Sequence, residues 1–179
     1  MKPTSFLNIK DILLQAGLKE GEIIADFGCG SGHFVFLAAK IVGNKGKVYA
    51  IDIQKTVLSF LKSEIIRRSA EQIKLLWANL EKPGALKIPE NSVNLVLISS
   101  TLHQVKDRNK VLLEAKRVLK ENGRLLIIDW KREAAPFGPS VSLRLDKDKL
   151  KKEMQEAGFK FIKEIKTGSY HFAFLAVKE

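Results

Sequence analysis

Short apolar runs alternate with amphipathic stretches along most of this chain, the way a parallel sheet with crossover helices is written in sequence. Apolar residues at 6, 9, 12, 13 and 16 predict a helix over Phe6 to Ala16, with Gly17 placed to end it. Ile23 to Phe27 is a short apolar strand followed at once by glycines, so the backbone turns sharply over residues 28 to 32. His33 to Val42 then predicts a helix closed by Gly43, Lys47 to Ile53 a second strand, and Val57 to Ser69 a helix with a charged outer face. Ile73 to Ala78 and Val93 to Ser99 predict strands three and four, separated by a loop holding Pro83, Gly84 and Pro89 and room for one helical turn. Asn109 to Leu119 reads as a helix, which Glu121-Asn122-Gly123 breaks before a fifth strand, Arg124 to Asp129.

The last third changes character. Lys131 to Arg144 contains Pro136, Gly138 and Pro139 without a clear period, and is long enough for a functional loop. Lys147 to Ala157 predicts a helix. Phe159 to Lys166 and Tyr170 to Val177 flank Thr167-Gly168-Ser169, which makes them an antiparallel hairpin. With 179 residues the chain is expected to form one domain, residues 1 to 179.

Composition changes this picture little. No apolar run reaches the roughly 18 residues of a membrane span, and Met1 to Lys10 lacks a secretory pattern, so a cytoplasmic location is expected. The single cysteine, Cys29, leaves neither an intrachain disulfide nor a cysteine metal cluster, and no metal site is expected. The net charge of +11 would attract nucleic acid, anionic lipid or acidic small molecules. From Lys106 to Arg132, however, nine basic residues stand against four acidic ones and alternate with apolar positions, as on a solvated lysine-rich face.

The candidate chemistry sits in Asp26-Phe27-Gly28-Cys29-Gly30-Ser31-Gly32. A glycine turn between strand and helix lets the backbone approach a ligand where a Cβ would collide, and points helix N-terminal amides at it. The dinucleotide fingerprint G-x-G-x-x-G/A wants a small residue at position 33, and that residue is His33. Asp26, two positions before the first glycine, can orient a bound ammonium directly or through water. Asp52, at the end of the second strand, can accept both hydroxyls of a ribose; its plainer role is an acid facing water.

These segments resemble class I S-adenosylmethionine-dependent methyltransferases, especially the small type-11 group that includes the ubiquinone and menaquinone C-methyltransferases. DFGCGSG is similar to the first motif of that family and Ala50-Ile51-Asp52-Ile53 to its second, while NLVLISSTLH (residues 94 to 103) and Leu119 to Ile128 resemble its fourth- and fifth-strand segments. The resemblance implies a three-layer Rossmann-like α/β sandwich with a seven-stranded, mostly parallel sheet in the order 3-2-1-4-5-7-6 and an antiparallel seventh strand. It implies S-adenosylmethionine as cofactor, S-adenosylhomocysteine as product, and an enzyme. Carried onto this chain, Asp26, Phe27, Gly28, Cys29, Gly30 and Gly32 surround the methionine part, Asp52 and Ile53 the ribose, and Asn79 and Leu80 the adenine. Ser99 then lies near the reacting methyl. Many members carry an acid at the position of Asn79.

Methyl transfer from a sulfonium can proceed on alignment alone. If a base exists, His103 is the candidate, because it follows the fourth strand on the ligand side and histidine titrates near neutrality; substrate contact or a capping role are its alternatives. Trp130, Lys131 and Phe137 follow the fifth strand, where open α/β sheets present ligand loops, and are the expected substrate-side residues. Arg144 either holds an acidic substrate or anchors the next helix, and His171 belongs to the sheet. No Asn-Pro-Pro-Tyr or Asp-Pro-Pro-Tyr segment follows strand four, which disfavours DNA-base amines, and one cysteine leaves no thiol pair for arsenic chemistry. Four readings stay open: a methyltransferase acting on a small molecule, placed first; one acting on RNA or protein through the basic surface; a non-catalytic S-adenosylmethionine-binding subunit; and, placed last, a nicotinamide dehydrogenase. The oligomeric state, monomer or homodimer, is open as well.

Overall fold

The structure, a computed structural model, describes residues 7–133 and 135–179. Phe6, where the first predicted helix was to begin, and Ala134 in the long loop lie outside the described residues. The element order is α1 (Ile9–Gln15), β1 (Ile23–Phe27), α2 (His33–Val42), β2 (Lys47–Asp52), α3 (Lys55–Arg67), β3 (Ile73–Trp77), β4 (Val93–Ser99), α4 (Arg108–Val118), β5 (Leu119–Trp130), α5 (Lys147–Glu156), β6 (Phe159–Ile165) and β7 (His171–Lys178).

Seven strands form one sheet in the order β3-β2-β1-β4-β5-β7-β6. β1 through β5 are parallel, and β7 runs antiparallel to both β5 and β6. The strands read as near-continuous apolar runs because both faces are covered. Successive residues of β4 show it: Leu95 and Leu97 pack with α1, α2 and α3 residues such as Leu13, Val35 and Leu61, while Val96 and Ile98 pack with Val111, Leu112 and Leu150 of α4 and α5. Each such leucine or isoleucine contributes about 1.5–3 kcal/mol on burial.

Polar side chains mark several helix starts, where the first amides lack intrahelical partners. Asn8 accepts from the Asp11 amide, Asp107 from Lys110, and Asp146 from both Asp148 and Lys149. Two expectations shift. Leu119 already pairs with Val93 and Arg124 with Leu95, so Glu121-Asn122-Gly123 forms a bulge within β5, with Asn122 at φ +58°, instead of preceding the strand. The segment between β3 and β4 holds turns but no helix.

The strand order reverses between β1 and β4: from β1 the chain runs outward through β2 and β3, then crosses back to β4 on the other side. A crevice opens at the C-terminal ends of strands at such a switch point, where ligands of open α/β sheets bind.

Candidate cofactor and active site

A cavity of about 550 Å³ occupies that crevice. Its walls are the ends of four neighbouring strands and the segments leaving them: Asp26 and residues 28–31 at β1, Asp52, Ile53 and Gln54 at β2, residues 78–81 after β3, and Ser99, Ser100, Thr101, Gln104 and Val105 at β4. Leu7, Ile9, His33 and Phe34 complete it.

The glycine turn is held from beneath by its neighbour strand. The Gly28 and Cys29 amides both donate to the Ile51 carbonyl at 2.9 Å. The Gly30 amide donates to Asp52 Oδ2 at 3.0 Å, and Asp52 Oδ1 accepts from the Gln54 amide at 2.9 Å. Asp52 thus joins the turn to the end of β2 and keeps further acceptor capacity, since each carboxylate oxygen has two lone pairs.

The glycines differ in purpose. Gly28 lies at φ +82°, and a Cβ there would run into the Thr101 side chain. At Gly30, φ +48°, a Cβ would meet nothing within 4 Å, so the missing side chain leaves open cradle. Gly32 caps α2 in the left-handed region, and a Cβ on it would press into Leu61 and Phe36.

Asp26 dominates the electrostatics. It is 3 % exposed, and its Oδ1 has no hydrogen-bond partner among the described residues. Burial, and then the charge of Asp52, push its carboxyl up to about 7. A buried carboxylate with an unused oxygen at a cavity wall is suited to a ligand that brings positive charge and N–H donors. Cys29 beside it is driven the other way from reactivity: burial, then Asp26 and Asp52, raise its thiol far above the usual range and keep it protonated.

The wall after β4 is neutral. Thr101 donates its hydroxyl to the Ser99 carbonyl at 3.0 Å, and Gln104 donates its amide to the Ser100 carbonyl at 2.7 Å. Ser100 itself lies at φ +52°, an uncommon conformation for a non-glycine residue and one that clusters at functional sites. At the other end, Asn79 Oδ1 accepts from the Glu81 amide at 2.9 Å, and Glu81 Oε1 accepts from the Lys106 and Asp107 amides at 3.0 and 2.8 Å. Glu81 therefore ties together the two loops that flank the cavity.

Of the residues expected at the cofactor, Asp26, Gly28, Cys29, Gly30, Asp52, Ile53, Asn79, Leu80 and Ser99 line the cavity. Phe27 and Gly32 do not. Phe27 alternates onto the buried face of β1 and packs among Ile51, Ile98 and Leu102, and Gly32 sits behind the turn against α3. Gln54, Glu81, Ser100, Thr101 and Gln104 escaped the sequence reading, although all lie just beyond a strand end, the one signal that could have found them.

The expected substrate-side residues also stand outside this cavity. His103 is not among its lining residues, although Thr101 and Gln104 on either side of it are, and its Nδ1 lies 2.8 Å from Asp129 Oδ1 near the end of β5. Trp130 packs against His171 and Phe137, with ring centroids 4.1 and 5.9 Å apart. Lys131 donates its backbone amide to the Tyr170 carbonyl, and Phe137 is partly exposed on the following loop. Arg144 is buried and donates to the carbonyls of Lys131, Glu133 and Pro139, so it anchors this loop from within. His171 pairs with Trp130 in the sheet, and burial lowers its imidazole.

Residues 18–167 match the model of a family described as methyltransferase domain. The arsenite methyltransferase of Halobacterium salinarum is 29% identical over 158 residues, 82% of this chain and 39% of that protein. A ubiquinone/menaquinone biosynthesis C-methyltransferase of Hahella chejuensis is 31% identical over 133 residues, 74% of this chain and 51% of that protein. The chain thus spans two-fifths to half the length of these curated relatives. Among solved structures, a SAM-dependent methyltransferase from Aquifex aeolicus superposes with a TM-score of 0.91 at 29% identity, covering 98% of this chain and 92% of that one. A type 11 methyltransferase described as such from Sulfolobus solfataricus gives 0.73 at 29% identity, covering 88% and 84%. On its sheet order, its switch-point cavity and these matches, the chain belongs to the methyltransferase domain family.

Proposed function

We propose that this domain binds S-adenosylmethionine in the switch-point cavity and transfers its methyl group to a small-molecule acceptor. The observation that carries the reading is Asp26: a buried acid with a free oxygen, facing a cavity whose floor is the open cradle of Gly30. An α-ammonium answers that carboxylate, and the remaining lone pairs of Asp52 suit the ribose hydroxyls. Ile53 and Leu80 offer apolar faces for the adenine beside Asn79, while the side-chain-free backbone at Gly30 leaves room for the methionine part. Phe27 and Gly32 support the turn from behind.

When bound, the cofactor supplies an electrophilic methyl on a sulfonium with a neutral thioether as leaving group. The chain's own residues orient the reactants. Correct alignment corresponds to effective molarities of about 10⁵ to 10⁸ M, which is enough for much of the catalysis. Ser99, Ser100 and Thr101 form the wall after β4 and would face the bound reactants there.

The wall chemistry speaks against an anionic acceptor. Among the described residues no Lys or Arg lines the cavity, in spite of the net charge of +11, so the basic surface and the site are separate features. The lone, protonated Cys29 speaks against an acceptor held by thiolates, such as arsenite.

Calorimetry with S-adenosylhomocysteine and NAD side by side tests the first half of the reading, and micromolar binding of the former alone is expected. Binding of NAD in its place would overturn it. Incubation with methyl-labelled S-adenosylmethionine and fractionated metabolites tests the second half. Label entering only RNA or protein, or no acceptor despite tight cofactor binding, would reject the small-molecule assignment.

A further inference from the structure

His103 and Asp129 form a second polar cluster that the cofactor reading does not use. Asp129 stands near the C-terminal end of β5, beside the exit of β4, where the Ser100 amide bonds the Ile128 carbonyl. Its residue is fully buried, and one oxygen, Oδ2, meets no partner among the described residues. The other, Oδ1, accepts the Trp130 amide at 2.8 Å and lies 2.8 Å from His103 Nδ1. An oxygen that already accepts one N–H is an acceptor toward the imidazole too, so Nδ1 is the donor and carries the ring's proton.

In the neutral ring the other nitrogen is then left with a free lone pair. Nε2 bonds no described residue, and it is not sealed away: among the described residues the buried side-chain atoms without partners are Asp26 Oδ1 and Asp129 Oδ2. His103 is followed by Gln104 and preceded at two positions by Thr101, both walls of the cavity. A histidine that merely filled space would need neither a buried carboxylate nor a free Nε2 at this rim.

We propose that Asp129 is a positioning residue that fixes His103 with its proton on Nδ1, leaving Nε2 as the base for an acceptor whose nucleophilic oxygen or nitrogen carries a proton. The proposal rests on the methyl-transfer reading and names the acceptor class within it. The bond that forms joins the acceptor atom to the methyl carbon. The bond that breaks is methyl carbon to sulfur, whose electron pair stays on sulfur. The acceptor's proton passes to Nε2, and the imidazolium, stabilised by the Asp129 carboxylate, returns it to water.

The test uses the full chain, labelled with ¹⁵N-histidine and saturated with S-adenosylhomocysteine, with resonances assigned through His103→Gln. Long-range ¹H–¹⁵N spectra across a pH series should show the proton of the neutral His103 ring on Nδ1. Asp129→Asn keeps the oxygen that accepts and should keep this tautomer; Asp129→Ala should lose it. A proton on Nε2, or a doubly protonated ring through pH 9, would overturn the proposal, because no lone pair would then be free. With an acceptor from the metabolite screen, Asp129→Asn and His103→Gln should lower kcat by about 10²-fold or more while KM stays within twofold. An unchanged kcat would overturn it as well. Binding of S-adenosylhomocysteine should be intact in all three variants; loss of that binding in the unmodified chain would reject the cofactor reading and leave the tautomer result standing on its own. If Asp129→Ala does not fold, the unmodified chain and Asp129→Asn suffice to decide.

Discussion

The Gly30 amide donates to Asp52 Oδ2 at 3.0 Å, and this bond joins the two cofactor motifs into one structure. Twenty-two residues apart in sequence, they meet because β1 and β2 pair in parallel register, with Asp26 opposite Ala50 and Phe27 opposite Ile51. The turn and the acid beyond it are therefore one support, and perturbing either reaches the other.

Asp52→Ala removes the acceptor for Gly30 and Gln54 together with the proposed ribose contact. Each hydrogen bond to the charged group contributes about 1.5–3 kcal/mol. Tenfold or greater weakening of S-adenosylhomocysteine binding by calorimetry is expected, with a lowered melting temperature. Asp52→Asn keeps one amide acceptor and should show the smaller loss in both. A folded Asp52→Ala protein with unchanged affinity would move the cofactor elsewhere.

Asp26 predicts a pH-dependent site. Its carboxyl sits at about 7 in the free protein, whereas a bound ammonium favours the carboxylate, so binding releases a proton below that pH. Affinity for S-adenosylhomocysteine should fall by up to about tenfold per unit as the pH drops below 7, and level off above it. Calorimetry in buffers of different ionisation enthalpy reads the proton directly. Asp26→Asn should flatten the dependence and bind weakly throughout.

The same group sets a stability trend of opposite sign. Its folded pKa is raised above the unfolded value, so the folded state binds the extra proton. Stability of the free protein from this group is present below pH 4 and is lost as the pH rises through 7. Thermal melts of the unmodified chain and Asp26→Asn between pH 5 and 8 check it; the variant should lose less stability across that range.

Gly28→Ala and Gly30→Ala should separate folding from binding. The first places a Cβ against Thr101 at φ +82° and should cost several kcal/mol of stability. The second adds a methyl in open space at φ +48°, costing about 1–2 kcal/mol, yet it fills the cradle and should weaken cofactor binding more than stability. Paired melting and binding curves decide.

Arg144→Met removes a buried guanidinium that bonds four loop carbonyls, those of Lys131, Glu133, Phe137 and Pro139, and lies 5.4 Å from the centre of the Trp130 ring. Those carbonyls lose their donors, and a loss of about 1–3 kcal/mol for each buried group left unpaired is expected. Hydrogen exchange should rise over residues 131–144, with S-adenosylhomocysteine affinity unaffected, since none of these residues lines the cavity.

The core elements were legible because their signals are local. β1, α2 and β4 fall on the predicted residues, β1 and α2 bounded by Gly28, Gly32 and Gly43 and β4 marked by its continuous apolar run. α3 begins at Lys55 and ends at Arg67, two residues earlier at each end than its apolar period suggests, and Ser69 at φ +49° marks the chain leaving the helix. The antiparallel hairpin followed from its tight connection. Its insertion beside β5 came from the family resemblance, because periodicity carries no information about which strand is a neighbour.

What the sequence by itself determined is the chemistry of the turn: glycines at alternate positions, an acid before them, an acid after the next strand. Those are statements about backbone freedom and charge, and both are properties of single residues. The tertiary structure alone decided which of these groups face a ligand. It buried Phe27 in the core and set Gly32 against α3, it left Asp26 with an unused oxygen, and it brought Asp129 to His103 across 26 residues. Strand pairing and desolvation make those choices, and they exist only once the sheet has formed.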